Sequence, residues 1–482
     1  MIVKEKIKYD CDVLISGGGP GGSALAFHLS KSGLKVIVIE AEKFPRDKVC
    51  GDAISPIAIK ELHDMGITKT PMFKKANEIT KVGLFTDKDH AIVNLHLPEE
   101  LPYHARIIPR LELDNSIFEK AQKAGAEFIQ EARVMDYKTF PEKVVVTIKQ
   151  EKKEFKLTSK ILIGADGSRS IVRRILRNQH ADDGFQLVGL RAYFDNVEGP
   201  LDRMDVYFLE ENFPGIFWFF PEGKSGANIG LATLSKTFPQ KQVQVRNILT
   251  NHIKNNRDIR ERIGNGTLRN KIEGWPITFY DPKKEVIANR VLLIGEAAGL
   301  INPLSGDGIQ YALLSARWSS ETVLKCFEKN RFSKEDFQPY KNRLDEELGY
   351  DLAFSNLIVH FPRNKSLLPV WMTAVDVLVA RAKNDPKFAE IIVGISEGTF
   401  PSFKALTSDF VLKLLLQGGI SANQYVMKNA QEPTLILNDG KSALQSSKNI
   451  IEEILRLKKE NANWIGELAS KLVSVSKYVL KS

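Results

Sequence analysis

Residues 12–40 read DVLISGGGPGGSALAFHLSKSGLKVIVIE, and no other stretch limits the fold as tightly. Val13, Leu14 and Ile15 form a short apolar run, the pattern of a parallel strand buried on both faces. Gly17, Gly19 and Gly22 then spell G-x-G-x-x-G. From Ser23 the apolar spacing through Leu25, Ala26 and Leu29 is helical as far as a stop at Gly33. A second apolar run, Val36–Ile39, ends in Glu40. The expectation is strand, tight turn, helix, strand, acid. Gly17 permits the turn, Gly19 clears a path for a pyrophosphate to reach the backbone, and Gly22 lets helix and strand pack closely. The helix N-terminus offers unpaired N–H groups and a partial positive charge to the phosphates. Glu40, eighteen residues after Gly22, stands where an acid accepts hydrogen bonds from ribose hydroxyls. The motif implies a dinucleotide site and does not by itself separate a flavin from a nicotinamide.

A chain of 482 residues has room for about two to four domains. At 43% hydrophobic and 26% charged it has an ordinary globular composition. The net charge of +9 is spread along the chain, with small clusters such as Arg169, Arg173, Arg174 and Arg177. No basic tail or nucleic-acid module is recognisable, so the charge reads either as a solvated surface or as attraction to anionic lipid headgroups. Three cysteines, Cys11, Cys50 and Cys326, argue against a disulfide framework and for a reducing, cytoplasmic compartment. No Cys/His spacing points to a metal. The first residues lack the apolar core of a signal peptide. No apolar run reaches the roughly 18 residues of a spanning helix. The nearest, residues 367–380, contains Pro369 and Asp376 and reads as a core or interfacial helix.

Two later stretches repeat the strand-then-glycine pattern. Residues 160–169, KILIGADGSR, place GADGS at the end of a buried strand. Residues 290–316, RVLLIGEAAGLINPLSGDGIQYALLSA, run from a buried strand through a glycine-rich loop into a helix. Between them, alternating runs at 187–194, 205–209, 215–221 and 227–232 predict an antiparallel sheet, with a helix over 240–255. Residues 78–97 predict a hairpin turning at 87–90, and residues 144–149 and 154–158 another. Helices are expected over 56–65 and 111–124, and from about 335 to the end.

The order of these three stretches resembles the FAD-dependent oxidoreductases of the para-hydroxybenzoate hydroxylase-like group. Two more segments resemble the geranylgeranyl reductases within it: FPRDKVCG at 44–51, and GIFWFFPEGKSGANIG at 215–230. The resemblance implies an α/β fold, α+β overall: a Rossmann-like FAD-binding domain interleaved with an antiparallel β-sheet substrate domain, and a helical C-terminal region. The boundaries expected are 1–76, 106–182 and 284–335 for the FAD domain. The substrate sheet takes 77–105 and 183–283, and the helical region 336–482. Phe217 stands where many relatives carry Tyr, and Glu296 where the family's acid is Asp, one methylene shorter.

Carried over by position, Gly17, Gly19, Gly22 and Glu40 would hold the ADP half of FAD. Arg46, Cys50 and Gly51 would line the flavin. Arg110 would touch the phosphate and ribityl region, and Asp166 would lie near the pyrophosphate. Gly295 and Glu296 would bind the ribityl hydroxyls, with Gly306, Asp307, Gly308 and Ile309 beside the isoalloxazine. Cys50 is the catalytic candidate: a lone cysteine in an irregular segment is a poor core residue, and Arg46 and Lys48 are expected to favour its thiolate. The plain alternatives are a small buried thiol and two solvated loop charges. Phe217, Trp218, Phe220 and Pro221 read as core or as an apolar substrate wall. The implied activity is saturation of isolated C=C bonds of a prenyl-chain lipid. NADPH or a small electron carrier would supply electrons, and the enzyme would touch the membrane peripherally. A flavin monooxygenase acting on an apolar substrate is the alternative.

Overall fold

A computed structural model describes residues 8–97, 101–178, 187–238, 244–397, 399–400 and 459–479. It divides the chain into two compact units. One comprises Met1–Ala76, Ile108–Phe185 and Pro276–Leu352, and the other Asn77–Ile107, Gln186–Trp275 and Ala353–Ser482.

The first unit is built on a sheet whose central strands are parallel. In spatial order these are Val291–Leu293, Lys153–Gly164, Cys11–Ser16, Val36–Ile39 and Glu127–Ile129. Val13, Leu14, Ile15, Ile161, Leu162 and Ile163 have no exposed surface, which is why these strands read as unbroken apolar runs. The hairpin of Val144–Gln150 with Lys153–Gly164 is antiparallel, and its second arm is continuous with the 160–164 strand. The two were expected as separate strands; they form one strand of 12 residues that pairs first with Val144–Gln150 and then with Cys11–Ser16. The opening helix is Pro20–Lys31, three residues earlier than its apolar spacing announces, because Pro20 takes the first turn. Beside it runs the long helix Ile309–Lys329. A Cβ on Gly21 would lie 3.2 Å from the Ala312 carbonyl oxygen, so the two helices meet at close range.

Register brings the three glycine-rich stretches to one edge. Ser16 pairs with Ile39 and Gly164, and Gly164 with Leu293. The loops that follow start side by side at the carboxyl ends of the strands, where open α/β sheets bind ligands.

The second unit is a sheet in the order Thr267–Leu268, Leu187–Asp195, Gly226–Leu234, Gly215–Glu222, Arg203–Phe208, Lys81–Thr86 and His90–Asn94. It is antiparallel except that Arg203–Phe208 runs parallel to Lys81–Thr86. The four runs expected to form an antiparallel sheet do so, while Arg203–Phe208 meets Lys81–Thr86, which is not its sequence neighbour, in parallel. One face packs Phe217, Phe219, Leu231, Ile229 and Tyr207 against the helices Val245–Asn255 and Arg257–Ile263. Of residues 367–380, all but Leu367 fall in the helix Leu368–Asn384, whose Asp376 and Lys383 meet Lys88 at 2.5 Å and Asp89 at 2.7 Å. Helices Gly349–His360, Pro386–Glu397 and Lys459–Val479 follow the predicted pattern, while residues 401–458 lie outside the described residues. His360 is fully buried and stacks on Trp464, each donating a ring N–H to the other's backbone carbonyl.

Candidate functional site

The first turn is closed by sterics. Gly17 has φ of +100°, and a Cβ there would fall 2.5 Å from the Ala165 carbonyl oxygen. A Cβ on Gly22 would sit 1.9 Å from the carbonyl oxygen of Gly17. Neither position admits a side chain. Gly19 differs: a Cβ there would meet only the Arg46 guanidinium, at 3.8 Å. The opening helix has no side-chain cap and no acid in its first turn, so its N–H groups keep their affinity for an anion. Glu40 is buried; it accepts from Gly18 N–H at 2.7 Å and from Glu42 N–H at 3.0 Å.

The irregular segment after Glu40 is held by charge. Arg46 reaches Asp114 at 2.8 Å and Glu40 at 3.4 Å and lies over the Phe44 ring at 4.8 Å. Arg110 donates twice to Asp114, both at 2.6 Å. Burial works to lower the Arg110 pKa, but the adjacent carboxylate outweighs it and raises it. Burial likewise works to raise Asp114, and the two arginines hold it low. Arg110, expected to touch phosphate and ribityl groups, is thus fixed by Asp114. The acid went unrecognised in sequence although it stands four residues on, one helical turn away.

Lys48 pairs with Glu296 at 2.7 Å. Cys50 is half-buried beside Gly51, and its sulfur accepts from Asp52 N–H at 3.4 Å. Asp52 is wholly buried with φ of +65°, a conformation L-residues rarely take. Ile108 N–H donates to its carbonyl and Arg110 N–H to its carboxylate. The expected thiolate is corrected: burial pushes the Cys50 pKa up, against the opposing pull of Arg110 and the weaker one of Lys48. Arg46 is committed to Glu40 and Asp114 instead. Burial thus disfavours the Cys50 thiolate.

Asp166 serves the fold. Its carboxylate accepts from Ser170 Oγ and from Ile171 N–H at 2.9 Å, capping the helix Ile171–Leu176. Burial nevertheless pushes its pKa up. Gly295 adopts φ of +53° and donates its N–H to Ser315 Oγ at 3.0 Å. Glu296 keeps one oxygen on Lys48, while its Oε1 is buried with no hydrogen-bond partner among the described residues. Asn302 shapes the loop that follows: its side chain accepts from Leu304 and Ser305 N–H, and its backbone N–H donates to the Asp307 carbonyl. Gly306 has φ of +72° and open space around it. Asp307 accepts from Ile309 N–H at 3.0 Å, and burial pushes it up to about 6. Gly308 leads into the helix Ile309–Lys329, which has no acid in its first turn.

These residues fit FAD. Open space at Gly19, two helix N-termini and an orphaned carboxylate oxygen at Glu296 are complementary to pyrophosphate, a flavin edge and ribityl hydroxyls respectively. Among the described residues no three or more Asp, Glu, His or Cys gather as metal ligands. No described helix is long and apolar enough to cross a membrane.

The predicted substrate residues are split by strand alternation. Phe217 and Pro221 point to the closed core face of the second unit, Phe217 packed edge-on to Tyr207. The reading of all four as one wall is corrected, because successive residues of a strand face opposite ways. Trp218 and Phe220 share the other face with ring centroids 6.2 Å apart. The N-x-G that follows has a clear role. Asn228 accepts from the Trp218 ring N–H at 2.9 Å, and a Cβ on Gly230 would lie 2.0 Å from that ring. In the same cross-strand row lies Arg191, buried, bonded to Glu273 at 2.8 Å and stacked on Tyr193 at 4.2 Å. A lone arginine in a strand gave no sequence signal.

Residues 10–317 match the FAD binding domain family. A menaquinone reductase of Mycobacterium tuberculosis is 30% identical over 320 residues, 65% of this chain and 76% of the relative. A digeranylgeranylglycerophospholipid reductase of Methanocaldococcus jannaschii is 27% identical over 352 residues, 72% of this chain and 85% of the relative. Among solved structures, a geranylgeranyl bacteriochlorophyll reductase-like protein of Thermoplasma acidophilum superposes with a TM-score of 0.66 at 21% identity, covering 77% of this chain and 91% of that one. The flavin-dependent brominase Bmp2 shares the fold with a TM-score of 0.65 at 17% identity, over 88% of this chain and 100% of that one. With the family match spanning the three glycine-rich turns whose convergence the fold displays, the chain belongs to the FAD binding domain family of flavin-dependent oxidoreductases, with geranylgeranyl reductases among its relatives.

Proposed function

We propose that this protein is an FAD-dependent reductase that saturates isolated C=C bonds in the prenyl chain of a lipid. The observation that carries the reading is the placement of Cys50: a thiol in the P-R-x-K-x-C-G segment that accepts from Asp52 N–H, its segment tied through Lys48 to the acid of the third glycine turn. FAD, once reduced by NADPH or a small electron carrier, supplies the hydride. The chain supplies the rest. An unpolarised double bond needs a proton at one carbon as hydride reaches the other, so a group that keeps its proton until then is suited to the task. The Cys50 thiol does so, and Asp52 N–H, donating to its sulfur, eases the charge left when the proton departs. Trp218 and Phe220 present apolar surface to a substrate without polar handles. At about 0.8 kcal/mol per buried CH₂, a long prenyl chain binds through area alone. A substrate of this kind lives in or on a membrane, so peripheral contact is part of the proposal.

The test is product analysis. Under anaerobic reducing conditions the wild-type chain should convert a geranylgeranyl lipid to products heavier by one H₂ per bond, read by mass spectrometry. Cys50→Ala should retain FAD and lose about 10²–10⁴ in rate, the range for a positioned proton donor. Turnover that requires oxygen and inserts it would sink the reading in favour of a monooxygenase.

A further inference from the structure

The 42–52 segment contains almost no regular structure, yet it carries the thiol on which the proposed chemistry depends. Its first half is tied down by Phe44 N–H to Gln130 at 2.7 Å and by Arg46 to Asp114 at 2.8 Å. Its second half meets a part of the chain 248 residues away, where Lys48 Nζ reaches Glu296 Oε2 at 2.7 Å. That contact is half-buried, with 27% and 12% of the two side chains exposed. The other oxygen of Glu296 is buried and has no hydrogen-bond partner among the described residues. One carboxylate thus has one oxygen spent on the Cys50 segment and one buried without a partner among the described residues.

We propose that the Lys48–Glu296 pair is a latch that holds the Cys50 segment against the flavin site, with Lys48 acting as a positioning residue. The inference rests on the flavin reading given above. Glutamate rather than aspartate makes the double duty feasible, because the extra methylene carries the carboxylate outward to Lys48. Opening the latch frees residues 47–51, and the thiol moves away from the reacting carbon and toward solvent.

The two residues carry opposite charge, which separates a latch from a purely electrostatic effect on the thiol. Removing the Lys48 cation disfavours thiolate and by itself slows alkylation of Cys50; removing the Glu296 anion favours thiolate and by itself speeds it. Loss of a latch speeds alkylation in both cases. The experiment measures iodoacetamide modification of Cys50 by peptide mass spectrometry on the full chain after flavin is stripped. This resolves it from the buried Cys11 and Cys326. Lys48→Met and Glu296→Gln should each raise the rate about tenfold, as local opening becomes easier. The double variant should be no faster than either, and Lys48→Arg should restore the slow rate. Slower alkylation in Lys48→Met, opposite signs in the two single variants, or multiplied effects in the double variant would each overturn the latch. Added FAD is titrated separately: a wild-type chain that fails to bind it defeats the flavin reading, while the flavin-free alkylation rates still decide the latch.

Discussion

Asp307 shows how much of a residue's behaviour comes from its surroundings. Half-buried beside the first turn of a helix, it is pushed up to about 6 by desolvation, whereas in the unfolded chain it has the ordinary carboxyl value. A folded-state pKa above the unfolded one means that the native state binds the extra proton between the two. Stability from this group is therefore full below about pH 4 and falls as pH rises toward 6. At most about 3 kcal/mol is involved. Asp307→Asn, which keeps an oxygen for Ile309 N–H, should melt like wild type near pH 4. It should exceed wild type by a margin that grows to pH 6 and then stays level, measured on the flavin-free chain. The glycines at this scale were legible in sequence because sterics alone demand them at Gly17 and Gly22. The partners of Arg46 and Lys48 were not, since Asp114 and Glu296 become their neighbours only when distant segments fold together, whereas Arg110 meets Asp114 one turn along its own helix. The Cys50 pKa was misjudged because its burial, which pushes the pKa up and outweighs the pull of Arg110 and Lys48, leaves no mark in the sequence.

Strand Gly215–Glu222 carries the lesson of the next scale. Its aromatic run looks uniform in sequence, and pairing sorts it into two faces. Phe217 and Phe219 close a core, while Trp218 and Phe220 face away from it. The Asn and Gly two strand positions apart on the neighbouring strand hold the Trp218 ring, one by a hydrogen bond and the other by vacancy. Gly230→Ala should destabilise the protein by about 2–4 kcal/mol, since the new methyl would meet both the ring and the Leu190 carbonyl oxygen, 2.4 Å away. Urea titration followed by circular dichroism reads this directly, and a change below 1 kcal/mol would show that the ring is free to move aside. Parallel strands were easy to recognise because burial on both faces writes a continuous apolar run. The parallel pairing of Arg203–Phe208 with Lys81–Thr86 was invisible, because pairing across more than a hundred residues leaves no local mark.

For the molecule as a whole, the flavin-binding unit is assembled from three stretches of chain separated by the pieces of another. A chain ending after residue 275 keeps G-x-G-x-x-G and GADGS but lacks the strand Val291–Leu293 and the helix Ile309–Lys329. It should fail to bind FAD, measured by quenching of flavin fluorescence, despite containing the complete opening motif. The same arrangement sets a schedule for biosynthesis. When Gly164 leaves the ribosome, the edge of its strand awaits a neighbour encoded 127 residues later, from Val291 onward. At about 5–20 residues per second the wait is roughly 6–25 s. Through that interval an oily, unpaired border stands open to stray association. A nascent chain of this design has reason to be met by a chaperone.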